Sequence, residues 1–372
     1  MATETPPLRV HLLYEHNADQ QPHGCSVIRW LRPLRHPSIA AALEVTAGVA
    51  LPATPVDILI IERLWAPHFT LAKARQLMQA ARQIAGRCLY TLDDNLLDLH
   101  LDQNWQSYPS DEERNIIRYL AREADALIVS TPALAARMAG FNAQIHVLPN
   151  ALDEGLFADA AAAPPDADLP AATHAAQAGA SWQAGKPQKR RLGYMGTPTH
   201  FADLMLVYEP LRAFLHDDAQ TELQILGISQ NPEQIQALFA DLPVRVLDTQ
   251  GAVSYEAFVA WCVDHLRWDF AIAPLEDNPF TRCKSDIKFL DYALLGIPGI
   301  YSQVGPYAHS IRHESTGLLV HNQPDAWQTA LHRLATDAAL RTHIRTQAHA
   351  EVKAQRTLQT QASQWLNTLK AL

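Results

Sequence analysis

Lys284, Lys288 and Asp291 stand four and three residues apart, a spacing that puts all three on one side of a helix. A helix N-terminus already draws anions through its free N–H groups and its dipole, and two ammonium groups in the first turns strengthen that pull. A carboxylate one turn further on can accept hydrogen bonds from a sugar diol. The three residues describe a site for a ligand with both phosphate and sugar. The same spacing also suits a solvated ion-pair face, and periodicity alone does not choose between the two. Ile287, Leu290 and Leu294 form the opposite, core-facing stripe of a helix expected to begin near Lys284. It stops at Gly296, because Pro298 cannot continue it.

A second group of polar residues lies near the N-terminus. The run His16-Asn-Ala-Asp-Gln-Gln-Pro-His-Gly24-Cys-Ser26 follows the first apolar run, and Arg29, Arg32 and Arg35 come after it. Asp93, Asp94 and Asn95 close the strand-like segment Cys88–Leu92 and can orient an acceptor hydroxyl. No metal is expected there, since adjacent carboxylates on a strand point apart. His309 and His313 lack the H-E-x-x-H order of a zinc site, and Gly193-x-x-Gly196 is too short for a dinucleotide-binding fingerprint. Ser26 and Ser130 have no G-x-S-x-G context.

These residues must be positioned by alternating strands and helices. Arg9–Tyr14, Asp57–Ile61, Arg87–Leu92, Asp125–Val129 and Ile145–Leu148 are continuous apolar runs, the pattern of strands buried on both faces. Between them lie helical stretches such as Leu71–Ile84, so this part is expected to form a parallel sheet with helical crossovers. The pattern restarts at Arg191–Met195 and continues through Thr221–Leu226, Val244–Leu247, Trp268–Ala273, Ile297–Tyr301 and Gly317–Val320. The expected domains are 1–155, an Ala/Pro-rich linker over 156–190, 191–350, and a C-terminal helix over 351–372 that packs back on the first domain. The fold class is α/β, with two tandem Rossmann-like parallel-sheet domains facing across a cleft. Ligands of such sheets bind at the carboxyl ends of the strands.

The chain has 372 residues and a formal charge of −9, which argues against a partner bound by phosphate neutralisation, so no nucleic-acid partner is expected. Its four cysteines form no CxxC pair and read as reduced thiols of a cytoplasmic protein. MATETPPLRV gives no expectation of a secretory leader, and no run of eighteen apolar residues reads as a membrane span. The Arg29–His36 stretch, with Trp30, is a candidate for weak peripheral contact with anionic lipid.

The segment from Asp269 to Tyr307 resembles the donor site of glycosyltransferase family 4 and its GT-B relatives. An acidic residue heads the phrase E-x-x-x-x-G-x-P there, which reads Asp291-Tyr-Ala-Leu-Leu-Gly296-Ile-Pro298 in this chain. Asn150-Ala-Leu-Asp153 resembles the N-G-[VI]-D phrase that closes the first domain. Gly193-Tyr-Met-Gly196-Thr197, Ile225-Leu-Gly-Ile and Trp268-Asp-Phe-Ala-Ile-Ala-Pro274 resemble successive strand ends of the second. The Gly317–Val320 strand follows in the expected order. Two departures stand out. Cys283 and Asp291 replace the two glutamates of the family's E-x7-E, with Glu276 and Asp277 upstream as substitutes, and Thr197-Pro-Thr199-His200 replaces the usual Arg and Lys after the glycine turn. Lys284 and Lys288 are expected to take over neutralisation of the diphosphate.

The resemblance implies a nucleotide-sugar donor as substrate, no separate cofactor, and a glycan or lipid-linked acceptor. It places donor binding at Gly24, Gly196, Thr197, Pro274, Leu275, Ser285, Gly305, Pro306 and Tyr307, and the chemistry at Lys284, Lys288 and Asp291. His16, Ser26, Arg29, Asp93, Asp94 and Asn95 fall to the acceptor side of the cleft. The implied activity is glycosyl transfer with retention, without a metal, in polysaccharide assembly. A sugar-nucleotide epimerase of the same fold and a non-catalytic partner in glycan assembly are the alternatives.

Overall fold

The computed structural model describes residues 6–103, 106–158, 189–228, 232–249 and 251–372. The linker expected over 156–190 falls, except at its two ends, outside the described residues. On either side of it stands a six-stranded parallel sheet flanked by helices.

The first sheet contains β1 (Leu8–Leu13), β2 (Leu43–Gly48), β3 (Val56–Glu62), β4 (Ala85–Leu92), β7 (Ala126–Val129) and β8 (Ile145–Val147), in the order β2-β1-β3-β4-β7-β8. β5 (Leu101–Gln103) and β6 (Gln106–Tyr108) form a separate antiparallel pair. The second sheet contains β9 (Arg190–Met195), β10 (Thr221–Leu226), β11 (Val244–Leu247), β12 (Phe270–Ala273), β13 (Gly299–Ser302) and β14 (Leu318–Val320), in the order β11-β10-β9-β12-β13-β14.

β3 shows why these strands read as unbroken apolar runs. Successive side chains of a strand point to opposite faces, and both faces are covered. Leu59 and Ile61 join one core while Ile58 and Ile60 join the core on the other side of the sheet, and all four are buried. β2 was absent from the expected strands. As an edge strand it buries only Leu43 fully, so LEVTAG carries no continuous apolar run.

Each sheet reverses its strand order once, between β1 and β3 in the first and between β9 and β12 in the second. Ligands of open parallel sheets sit outside the carboxyl ends of strands at that reversal. A close approach fixes the second reversal. The indole of Trp268 lies across Gly193, where a Cβ would come within 1.9 Å of the ring. Trp268 Nε1 donates to Gln224 Oε1 at 3.0 Å.

The C-terminal helix, Leu358–Ala371, lays Leu358, Ala362, Trp365 and Leu369 against the core of the first sheet. Trp365 Nε1 donates to the Arg29 carbonyl at 2.7 Å. Burying a large apolar side chain is worth about 1.5–3 kcal/mol, so this stripe holds the chain's end firmly on the first domain. Among the described residues, no helix is long and apolar enough to cross a membrane.

Candidate functional site

Between the two sheets, at the carboxyl ends of their strands, lies a cavity of about 160 Å³. Its second-domain wall is made by His200 after β9, Leu275 after β12, and Lys284, Ser285, Ile287 and Lys288. The first domain contributes Cys25, Arg29, Asp93, Asp94 and Asn150.

The helix that carries Lys288 runs over Ile287–Leu294, so it begins three residues later than its sequence spacing suggested. A 3₁₀ turn, Thr281–Cys283, precedes it, and Lys284 is extended, with φ −64° and ψ 160°. Lys284 therefore reaches the cavity from a bend, not from the helix face. Its Nζ donates to Asp94 Oδ2 at 3.3 Å and sits 4.6 Å from the centroid of the Phe280 ring. This ion pair crosses between the domains. Burial raises the pKa of Asp94, but Lys284 and Arg63 outweigh that and hold it below the ordinary value.

Lys288 is 8% exposed, and its side chain makes no hydrogen bond or ion pair with any described residue. Burial, with Lys284 nearby, pushes its pKa down to about 8. It stays largely protonated at neutral pH, a cation without a counterion in contact. His200 donates its Nδ1–H to Asp203 Oδ2 at 2.6 Å, and burial and Lys288 lower its pKa, leaving a neutral imidazole on the wall.

Asn150 joins the two walls. Its Nδ2 donates to Ser285 Oγ at 2.9 Å and its Oδ1 accepts from Arg29 Nη1 at 2.7 Å. Arg29, expected on the acceptor side of the cleft, does line this cavity. It sits in a π-helical stretch, Val27–Leu31, and is 2% exposed. Gly305 supports the opposite side. Its φ is +47°, and a Cβ there would come within 3.1 Å of Arg282 Cα and of the Thr281 carbonyl oxygen. Glycine thus lets the loop before Tyr307 press against the 3₁₀ turn that aims Lys284.

Behind the first-domain wall lies a charged network that the sequence reading missed. Arg63 bridges Asp93 Oδ1 at 2.9 Å and Glu15 Oε2 at 2.8 Å, and His23 Nδ1 stands 3.4 Å from Glu15 Oε2. Burial raises the Glu62 pKa to about 7 despite the hydrogen bond from Ser26 Oγ. Arg63 and Trp65 hold positive φ values of 45° and 53°. Such backbone costs on the order of 1–3 kcal/mol per residue and collects at functional sites. One signal was available: Glu62-Arg63 puts two charges at the very end of the apolar run DILII. Glu15, His23 and Cys25 could together face a cation. However, Arg63 already occupies Glu15, and burial keeps Cys25 a thiol.

Several expected site residues lie elsewhere. Asp291 does not line the cavity; Lys288, Tyr255 and Cys262 feel its charge, and burial raises its pKa to about 7. Ser26 is spent on Glu62, and His16 bonds its own loop through the Asn17 carbonyl. Asn95 holds the domain junction, donating to Asp98, the Pro279 carbonyl and Cys283 Sγ. Gly24 lines a different interdomain cavity of about 850 Å³, between the first-domain segment 17–37 and Val253–Glu256. Gly196, Thr197, Pro274, Gly305 and Pro306 support the cavity's loops without lining it, whereas Leu275, Ser285 and Tyr307 do line it. Of the upstream carboxylates, Asp277 pairs with Arg282 and Glu276 accepts from Asn278 Nδ2 at 3.3 Å. Cys283 is buried in the first-domain core. The stretch considered for lipid contact is largely inside the protein, with Trp30 fully buried and Arg32 Nε donating to Asp153 at 2.8 Å.

No protein-family model and no curated protein matches the chain. Solved structures do. A sucrose-phosphate synthase from Thermosynechococcus elongatus is similar, with a TM-score of 0.65 and 16% identity over 99% of each chain. HepE from Anabaena, in complex with UDP-glucose, gives 0.65 and 13% over 98% of this chain and 100% of that one. A UDP-forming α,α-trehalose-phosphate synthase from Burkholderia xenovorans gives 0.57 and 12% over 85% and 74%. The chain has the GT-B fold, two facing Rossmann-like domains.

Proposed function

We propose that this protein is a glycosyltransferase that moves a sugar from a nucleoside-diphosphate donor to an acceptor hydroxyl. The observation that carries the reading is Lys288, a buried ammonium with no counterion in contact, turned into an interdomain cavity at the strand ends beside Lys284. A cation kept in that state is suited to a ligand that brings its own negative charge. The similar folds of enzymes named for UDP and sugar phosphates agree with this.

The difficult step is departure of the nucleoside diphosphate. Lys288 and Lys284 meet the charge that develops on it, in a site already organised before the reaction. Closure of the two domains excludes water and protects the donor from hydrolysis. The leaving phosphate takes the acceptor's proton, and the product keeps the donor's anomeric configuration. The two ammonium groups supply the positive charge, so the reaction runs without a metal. Polysaccharide or related glycan assembly is the proposed setting.

Calorimetry with UDP, GDP, ADP and CDP, followed by transfer assays with the matching sugars, tests the reading. One of these diphosphates should bind, and its sugar nucleotide should release it faster when a sugar acceptor is added. Binding without any acceptor-dependent release would favour a sugar-nucleotide epimerase. No binding at all would favour a non-catalytic partner in glycan assembly, a reading to which the packing of Cys283 into the first-domain core lends weight. NMR of the product's anomeric proton decides retention, and an undiminished rate in EDTA is the result expected of a metal-free reaction.

The Lys288 pKa of about 8 sets the pH dependence. The cationic form binds the diphosphate, so binding raises that pKa and takes up a proton wherever the free lysine is neutral. Affinity should hold through neutral pH and then fall above pH 8, by up to about tenfold per unit. Titrations in two buffers of different ionisation enthalpy should register about half a proton taken up per diphosphate at pH 8. A flat profile between pH 7 and 9.5 would remove Lys288 from the ligand.

A further inference from the structure

Arg29 belongs to the first domain, yet it lines the cavity that holds Lys284 and Lys288. Its side chain is almost wholly enclosed, and only Nη1 is satisfied, by the Leu148 carbonyl at 3.1 Å and Asn150 Oδ1 at 2.7 Å. Nε and Nη2 are buried and have no partner. Leaving charged N–H groups in that state is costly, and buried guanidinium groups are ordinarily paired. Arg32, one turn further along, already has Asp153. The carboxylates nearest in the cavity are taken as well, Asp94 by Lys284 and Asp93 by Arg63.

We infer that the anion site is split between the domains, with Arg29 holding the same diphosphate as Lys288 from the opposite wall. The inference takes its ligand from the donor reading above, but moves Arg29 from the acceptor side of the cleft to the donor. Two cations with no carboxylate in contact line one space of about 160 Å³, enough for on the order of ten water-sized groups. A guanidinium with two adjacent free N–H groups matches two phosphate oxygens, whereas an ammonium acts as a point charge. Arg29 is fixed before ligand arrives, because Asn150 holds its tip and Trp365 Nε1 holds its backbone carbonyl. The ligand itself then ties the domains together, since neither domain alone supplies both charges.

Calorimetry with inorganic pyrophosphate, and separately with glucose 6-phosphate, tests this on the full chain. Pyrophosphate should bind the parent protein, and Arg29→Lys, which keeps the charge and loses the fork, should weaken it by about ten- to hundredfold. Lys288→Met should weaken it to a similar degree. Should Arg29→Lys not fold, the parent protein still decides the matter, because the Arg29 Nε–H resonance should shift on saturation with pyrophosphate. Parent-like binding by a folded Arg29→Lys protein, or an unmoved resonance at saturation, overturns the inference. Arg29-dependent binding of glucose 6-phosphate in place of pyrophosphate also overturns it, by assigning the guanidinium to a phosphorylated acceptor. The two readings can fail separately. Arg29-dependent pyrophosphate binding without transfer from any donor leaves the split site standing and removes the transferase. Transfer with normal pyrophosphate binding in Arg29→Lys does the reverse.

Discussion

Lys288→Ala should lower the rate of sugar transfer by on the order of a hundredfold or more while leaving the thermal transition unchanged or slightly raised. Most buried charged residues would not behave this way, because removing one usually strands its partner. Lys288 has no hydrogen-bonded or ion-paired partner to strand, and it acts on the buried Asp291 only through space. Its ammonium has been taken out of water with only partial compensation from the charges of Asp203, Asp291 and Asp94, so its pKa is depressed and the folded protein bears a net desolvation cost that alanine relieves. The loss of methylene packing works in the opposite direction, and Lys288→Met separates the two by keeping the length of the stem. Methionine should melt at or above the parent temperature and be as inactive as alanine. The rate loss should appear in turnover as well as in the donor's KM, since the charge on the leaving diphosphate is greatest in the transition state. An alanine variant with the parent's activity would remove this residue from the chemistry. One that is inactive because it no longer folds would show that the ammonium has a structural partner after all.

Lys288 was recognisable in the sequence as a candidate; its burial without a counterion in contact was not. Strand placement followed from apolar runs such as DILII and FAIA because both faces of each sheet are covered, and that rule fails for a half-exposed edge such as β2. The spacing of Lys284, Lys288 and Asp291 suggested one helical face, yet the helix starts at Ile287 and the three side chains do not meet. Asp286 is a good capping residue type in the position before that start. Its side chain makes no cap because it is used by Arg356, seventy residues away in sequence. A local pattern cannot reveal such a distant claim. Arg29 illustrates the same limit, since an arginine followed by others at helical spacing reads as a solvated face. A π-helical stretch, Asn150 and the C-terminal helix together bury it. Glu15 and Arg63 lie far apart in the sequence, and only the adjacency of β1, β3 and β4 makes them a network.

Asp286→Ala should be the most destabilising single change near the site. Asp286 is 4% exposed and accepts two hydrogen bonds from one guanidinium, Arg356 Nη1 at 2.8 Å and Nη2 at 2.7 Å. Arg356 also donates to the Asn150 carbonyl, from Nε at 3.2 Å and Nη2 at 3.1 Å. Its own carbonyl accepts from the Leu152 amide at 3.0 Å. One ion pair thus ties together the start of the Lys288 helix, the end of the first domain and the turn into the C-terminal helix. Breaking a buried pair by removing one member costs about 3–5 kcal/mol, and the lower end applies because the Arg356 side chain is about a quarter exposed. Denaturant unfolding followed by tryptophan fluorescence should show a loss of about 3 kcal/mol for Asp286→Ala. The double variant Asp286→Leu/Arg356→Met should be less damaged than the sum of its parts, since an apolar pair leaves no charge stranded. Transfer activity should drop in the single variant even where it remains folded, because Lys284 and Lys288 flank Asp286 and take their directions from its position. If Asp286→Ala were as stable as the parent, or the double variant fell by the full sum, the pair would contribute nothing to holding the two domains in register around the cavity.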